Sequence, residues 1–476
     1  MQKQLIWFRQ DLRIHDHAAL WHARQSGTVI ALVVLSPQQW QKHDDAPIKI
    51  DFYLRQIEVL QHALTKLNIP LIIQTIPLWE NIATEVTQLC QKLNIENIHA
   101  NIECGVNELN RDFDVQKRLN KNGHDLILYH DRTLFPVGSI RNKSNQPYQV
   151  FGAFKKYCYE QLSISVPQCY PAPEIQSLDM SIYKDDLNPI PTIKTLGFEC
   201  VEKNAKTQWQ VGEAHAWHLL DEFLDNHIEN YQVHRDFPNL EATSQLSAYL
   251  NIGIISIRQC LNALFRAHHG QFTIENIGQQ TWMEELLWRE FYQHILFDFP
   301  RVSKHLPFKQ TTQKLAWRDA PKDLIAWQMG QTGIPIVDAG MRQLLQTGWM
   351  HNRVRMIVAM FLSKNLLIDW RLGEQWFMQH LIDGDLAANN GGWQWCASTG
   401  TDSVPYFRIF NPVSQSQKFD AEGEYIRKWV PELADLDAKT IHEPYAKNSE
   451  IQLNYPQPIV DLKQSRIRAI EAFKQI

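Results

Sequence analysis

Over the first 130 residues, short apolar runs alternate with amphipathic stretches. Leu5-Ile6-Trp7-Phe8, Val29–Leu35, Pro70–Gln74, Asn97–Asn101 and His124–Tyr129 read as strands buried on both faces. Between them, Ile48–Leu67, Leu78–Leu93 and Val106–Lys121 carry apolar residues at the three-to-four spacing of a helix. This alternation predicts a doubly wound parallel sheet, an α/β domain over residues 1–130. A ligand of such a sheet is expected beyond the carboxyl ends of its strands, near Arg9–His17 or Asn101–Asn107.

The pattern then changes twice. Residues 131–205 hold Pro136, Pro147, Pro167, Pro171, Pro173, Pro189 and Pro191, a long connector with one expected helix, Val150–Leu162. From 206 to 476 strand signals nearly vanish. Helices are predicted at Glu213–Ile228, Gln245–Asn251, Ser256–His268, Thr281–Phe297, Lys322–Met329, Ile336–Thr347 and Asn352–Asn365. The expected fold is an N-terminal doubly wound α/β domain followed by a larger all-α domain.

Composition narrows the function classes. The chain has 476 residues and a net charge of −5, which argues mildly against nucleic acid, although a small basic patch suffices to grip DNA. Its seven cysteines are scattered, with no Cys-x-x-Cys pair and no His cluster at zinc spacing, so no metal and a reducing cytoplasm are expected. Arg9 comes too early for a signal peptide, and the apolar run Val354–Leu362 meets Lys364 before it could span a bilayer. Neither a G-x-G-x-x-G nor a Walker loop occurs in the first domain. The sixteen Trp serve equally as helical core, as stacking surfaces or as electron carriers.

Four stretches carry candidate chemistry. On a helix, Trp282, Glu285, Trp288 or Arg289, and Tyr292 share a face that mixes indole rings with charge, unlike an ordinary core face. Trp349, Asn352, Arg353 and Met356 form a second such face, with an amide to read a base edge and a guanidinium for phosphate. Asp383–Trp395 holds Gly384, Gly391 and Gly392, which let backbone approach a ligand, and the same run also reads as a glycine-rich loop between helices. Thr243-Ser244-Gln245-Leu246-Ser247 is a possible phosphate cradle at a helix start, although most such runs are simple caps.

Together with Trp7–Arg13 and Tyr406–Pro412, these stretches resemble the photolyase/cryptochrome family over nearly the whole chain. The resemblance is to its class I cyclobutane pyrimidine dimer photolyases of the folate type. It implies FAD in the helical domain, held by Tyr231, Thr243, Ser244, Gln245, Leu246, Ser247, Trp282, Arg355, Asp383 and Asp385. Asn389 would lie beside flavin N5, where Asn rather than Asp suits a fully reduced flavin. Gln245 departs from the family, which commonly has Arg there, so a cation near the FAD phosphates is missing.

The resemblance also implies a substrate, UV-damaged DNA. Glu285, Trp288, Asn352 and Trp395 would meet a flipped dimer, with Arg235, Arg289, Arg353 and Met356 at the lesion or backbone. Asn352 stands where photolyases for the (6-4) lesion carry a second His. Trp393, Trp370 and Trp317 match an electron-carrying tryptophan chain. His43, Asn107, Glu108 and Lys304 match an antenna site for 5,10-methenyltetrahydrofolate, while two surface residues opening a helix explain Asn107 and Glu108 equally well. The expected protein is a monomeric cytoplasmic lyase. The alternative is a cryptochrome-like photoreceptor, for which a longer tail beyond Ile476 would be usual.

Overall fold

The structure, a computed structural model, describes residues 2–446 and 453–476. Contacts divide the chain into two compact units, Met1–Glu229 with Ser244–Pro300 and Asn230–Thr243 with Arg301–Ile476.

The first unit holds five parallel strands: β1 Lys3–Phe8, β2 Thr28–Leu35, β3 Leu71–Thr75, β4 Ile95–Asn101 and β5 Asp125–Tyr129, in the order β3-β2-β1-β4-β5. The apolar runs form these strands because both sheet faces are covered by helices, among them Ala18–Ser26, Pro47–Lys66, Ile82–Leu93 and Val106–Asn120. Leu5, Trp7, Ile30, Leu32, Val86, Leu89, Ile98 and Val115 meet in one buried cluster. Each such aliphatic side chain contributes about 1.5–3 kcal/mol on burial.

β1 lies between β2 and β4, so the strand order reverses there, the place where sheets of this kind commonly leave a crevice beyond the strand ends. Its Arg9–His17 side is not left for a ligand, contrary to expectation. Asn101 Nδ2 donates to Asp11 Oδ2 at 2.8 Å, and Asp11 pairs with His17 Nε2 at 3.1 Å. Arg13 and Arg258 both grip Asp131, at 2.7 and 2.6 Å, and Arg258 also holds Asp16 at 3.0 Å. All these groups are buried, and every charge has a partner. The Arg9–Arg13 motif is thus structural at its charged positions.

In the connector, the expected helix runs Phe151–Ile164. The buried side chain of Gln176 accepts from Val29 N–H and donates to the Val29 and Asn68 carbonyls, each at 2.8 Å. Its amide stands in for a strand's hydrogen bonds at the start of β2, ahead of the residues that pair with β3. The long helix Ile277–Asp298 packs on Phe151–Ile164 and belongs to the first unit.

The second unit is helical. Pro335–Thr347, Asn352–Met360, Trp370–His380, Leu386–Ala397, Pro412–Phe419 and Leu462–Lys474 are its main elements. Asn352–Met360 continues into a wider π-type turn, Phe361–Asn365. The glycine-rich run is a helix rather than a loop. Asp385 caps it through Ala388 N–H at 2.8 Å, and its Asn390 and Gln394 side chains are buried in hydrogen bonds. Among the described residues, no helix is long and apolar enough to cross a membrane.

Candidate active site

In the second unit, Arg355 and Asp383 form an ion pair in which Nη2 alone donates to both carboxylate oxygens, to Oδ1 at 3.1 Å and Oδ2 at 2.9 Å. Arg355 Nε is fixed on the Met350 carbonyl at 2.7 Å. Asn389 Nδ2 donates to the Glu374 carbonyl at 3.0 Å, so its amide can turn only one way, with Oδ1 directed elsewhere as an acceptor. Glu374 Oε1 takes Asn390 Nδ2 at 2.8 Å, Asn390 Oδ1 takes Gln394 Nε2 at 2.7 Å, and Gln394 Oε1 takes Phe308 N–H at 2.8 Å. This buried relay braces the helix that carries Asn389. Beside it, a methyl group built on Gly392 meets no atom within 4 Å, so partly open space borders that helix.

A basic cluster gathers at the start of Asn352–Met360. His351 caps the helix, its Nδ1 accepting from Arg353 N–H at 3.2 Å, which leaves the proton on Nε2. Burial pushes the His351 imidazole down to about 4, with neighbouring Arg355, Arg353 and Arg235 acting the same way and Asp236 opposing. The Nε2 atom is buried and has no hydrogen-bond partner among the described residues. Arg353 bonds Asp236 Oδ1 through Nη2 at 2.7 Å and Nε at 3.2 Å, and its guanidinium lies 4.5 Å above the Phe419 ring. Arg235 sits 5.6 Å over Tyr231. Asn352, at the first helical position, is exposed.

Trp393, Trp370 and Trp317 share one core cluster. Trp393 and Trp370 are buried, and Trp317 is partly exposed. The Trp393 ring rests on Gly373, three residues after Trp370 on the same helix, where an added Cβ would lie 2.1 Å from its Cη2. Phe377 and Trp327 meet it edge to face at 5.0 and 5.9 Å. Trp395 packs half-buried against the same cluster.

In the first unit, Trp282 is buried with its Nε1 3.4 Å from Ser244 Oγ. The adjoining helix is only Ser247–Asn251, shorter than expected, because Gln245 takes a left-handed backbone, φ 50°, and breaks it. Leu246 is buried, and Ser247 is exposed. Trp288 stacks one face on Phe151, at 3.7 Å and 12° between planes, while Glu285 is half-buried one turn earlier. Arg289 donates to the Arg132 and Leu250 carbonyls at 2.8 and 3.4 Å, which ties it to the fold. His43 Nε2 lies 3.0 Å from Asn107 Nδ2 and 2.9 Å from Gln39 Nε2, with Trp79 edge-on at 4.9 Å. Lys304 is exposed at the end of a short turn in the second unit.

Residues 282–475 match the family described as the FAD binding domain of DNA photolyase, and residues 4–174 match DNA photolyase. The deoxyribodipyrimidine photo-lyase of Escherichia coli is 43% identical, over 100% of this chain and 99% of that protein. The corresponding photo-lyase of Vibrio cholerae is 40% identical, over 99% of each. The chain belongs to the DNA photolyase family. Among solved structures, a class III photolyase from Agrobacterium tumefaciens matches with TM-score 0.85 at 32% identity, covering 100% of this chain and 98% of that one. A Synechocystis cryptochrome matches with TM-score 0.86 at 28% identity, covering 99% of each.

The donor set of the second unit fits the photolyase flavin. The Arg355–Asp383 pair offers a delocalised cation beside a carboxylate, and Asn389 offers a fixed carbonyl oxygen on a helix whose Gly392 side is open. Sequence reasoning missed Glu374, Gly373, Gln39, Trp79 and Asp236. Glu374 and Gly373 lie on Trp370–His380, a helix the apolar pattern did not reveal. Asp236 follows Arg235 directly, and that adjacent opposite charge was the one signal available.

Proposed function

We propose that this photolyase splits cyclobutane pyrimidine dimers in DNA, driven by light. The observation that carries the reading is the fixed Asn389 amide, whose Oδ1 is left as a non-titrating acceptor suited to an N–H of a reduced flavin. When bound and reduced, FAD supplies the excited electron that opens the dimer ring and takes that electron back. Tyr231, Thr243, Ser244, Gln245, Leu246, Ser247, Trp282, Arg355, Asp383 and Asp385 would hold it. Glu285, Trp288, Asn352 and Trp395 would receive the flipped dimer. Flipping costs a few kcal/mol, and less at a damaged step. Arg235, Arg289, Arg353 and Met356 would meet the strand, and Trp317, Trp370 and Trp393 would carry electrons inward.

His43, Asn107 and Glu108, with Lys304, would bind a methenyltetrahydrofolate antenna. The His43–Asn107 contact and the Glu108 carboxyl, pushed up to about 7, support a site able both to donate to and to accept from a pterin edge. The protein would act as a cytoplasmic monomer. A photoreceptor without repair is the alternative, and 43% identity to a lyase over the full chain favours repair.

The test is an oligonucleotide bearing one thymine dimer, mixed with reduced protein in light and in darkness. Recovery of thymine absorbance in light alone is expected. Light-driven flavin reduction with an intact dimer would move the function to signalling.

A further inference from the structure

Two guanidinium groups and one carboxylate crowd the start of Asn352–Met360, and the carboxylate is the unexpected member. A surface built only to attract phosphate has no use for it. Asp236 Oδ1 accepts from both Nη2 and Nε of Arg353, at 2.7 and 3.2 Å, and lies 3.9 Å from Arg235 Nε. The same guanidinium is held flat over Phe419 at 4.5 Å. Edge and face are both fixed, so Arg353 presents one remaining group, Nη1. Among the described residues Nη1 meets only the Met356 sulfur, at 3.9 Å.

We propose that Asp236 is a positioning residue that sets the preference for damaged over undamaged DNA. The inference rests on the repair function proposed above. Its carboxylate does two things. It locks Arg353 so that Nη1 points along one line, which helps a strand whose backbone is already bent at a lesion. It also cancels one of two positive charges, lowering the attraction for any phosphate that arrives without the lesion contacts. Discrimination is a difference of affinities, and weakening the undamaged complex raises it as effectively as strengthening the damaged one.

The experiment measures binding of Asp236→Asn and Asp236→Glu to one duplex with and without a single thymine dimer, over about 50 to 300 mM salt. Asp236→Asn adds one unopposed charge. It is expected to bind undamaged duplex more tightly, with a salt slope steeper by close to 0.9. The ratio of damaged to undamaged affinity should fall about tenfold, the scale of a misplaced contact. Asp236→Glu keeps the charge and moves it by one methylene. It should keep the wild-type salt slope yet lose part of the ratio, and it tests the proposal even where the Asn variant folds poorly. Equal losses on both duplexes with unchanged slopes would overturn the proposal, because they mark a merely structural carboxylate. A wild-type protein with no preference for the dimer would instead sink the repair reading itself, and this inference with it.

Discussion

The carboxyl group of Glu108 is pushed up to about 7 by burial, with Glu103 pushing the same way and Arg111 opposing. Glu108, half-buried, folds back over Gly105, where an added Cβ would lie 2.1 Å from its Oε2. The folded protein therefore holds this proton more tightly than the unfolded chain, whose carboxyl titrates near 4.5. Stability from this group is complete below about pH 4.5 and is lost as pH rises through 7. Glu108→Gln removes the titration. It should leave thermal stability unchanged at the acid end and raise it by about 1–2 kcal/mol at pH 8, after discounting for partial exposure. Thermal unfolding across that range checks it, and parallel pH profiles for the two proteins would refute it. The identity of Glu108 was legible through family resemblance. The fold-back over Gly105 that shifts its proton was not, because the shift depends on three-dimensional desolvation.

Strands were readable from sequence because a two-sided parallel sheet demands consecutive apolar residues, and Leu5–Phe8 or Val29–Leu35 offers no other use for them. Helices around the site were harder. Leu386–Ala397 contains two Asn and two Gly, each a poor helix former, and its side-chain bonds to Glu374 and within the relay override that preference. Trp370–His380 hides for a related reason: its buried face includes Gly373, which adds no apolar signal but makes room for Trp393. Gly373→Ala would put a methyl 2.1 Å from the rigid Trp393 ring and 2.7 Å from Leu362 Cδ2. Overpacking of this kind costs about 1–3 kcal/mol. The variant should therefore melt earlier and, loaded with FAD, photoreduce several-fold more slowly as the indole shifts. A lowered melting temperature with unchanged photoreduction would separate Trp393 from the electron path while leaving the packing argument intact.

For the molecule as a whole, a net charge of −5 limits how DNA can bind. Long-range attraction is absent, so affinity must come from a few local phosphate contacts and from the flipped lesion. Arg353 and Arg235 are the clearest cationic candidates: they share the single carboxylate of Asp236, whereas Arg289 is tied to backbone carbonyls and Arg355 is paired with Asp383. With Asp236 cancelling one of the two charges, about one phosphate neutralised at −0.9 gives a slope of log affinity against log salt near −1. Salt also screens the repulsion between the acidic body and the duplex, which pulls the slope toward zero. The wild-type protein should thus bind dimer-containing duplex with a shallow slope, about −1 or less in magnitude, and keep most of its preference for damage as salt rises. A slope steeper than about −4 would mean a broad phosphate-gripping surface that Arg235 and Arg353 do not account for. A shallow slope means that contacts to the lesion supply most of the affinity, and substitutions at Trp288, Asn352 and Trp395 should then cost more affinity for damaged DNA than loss of any single arginine.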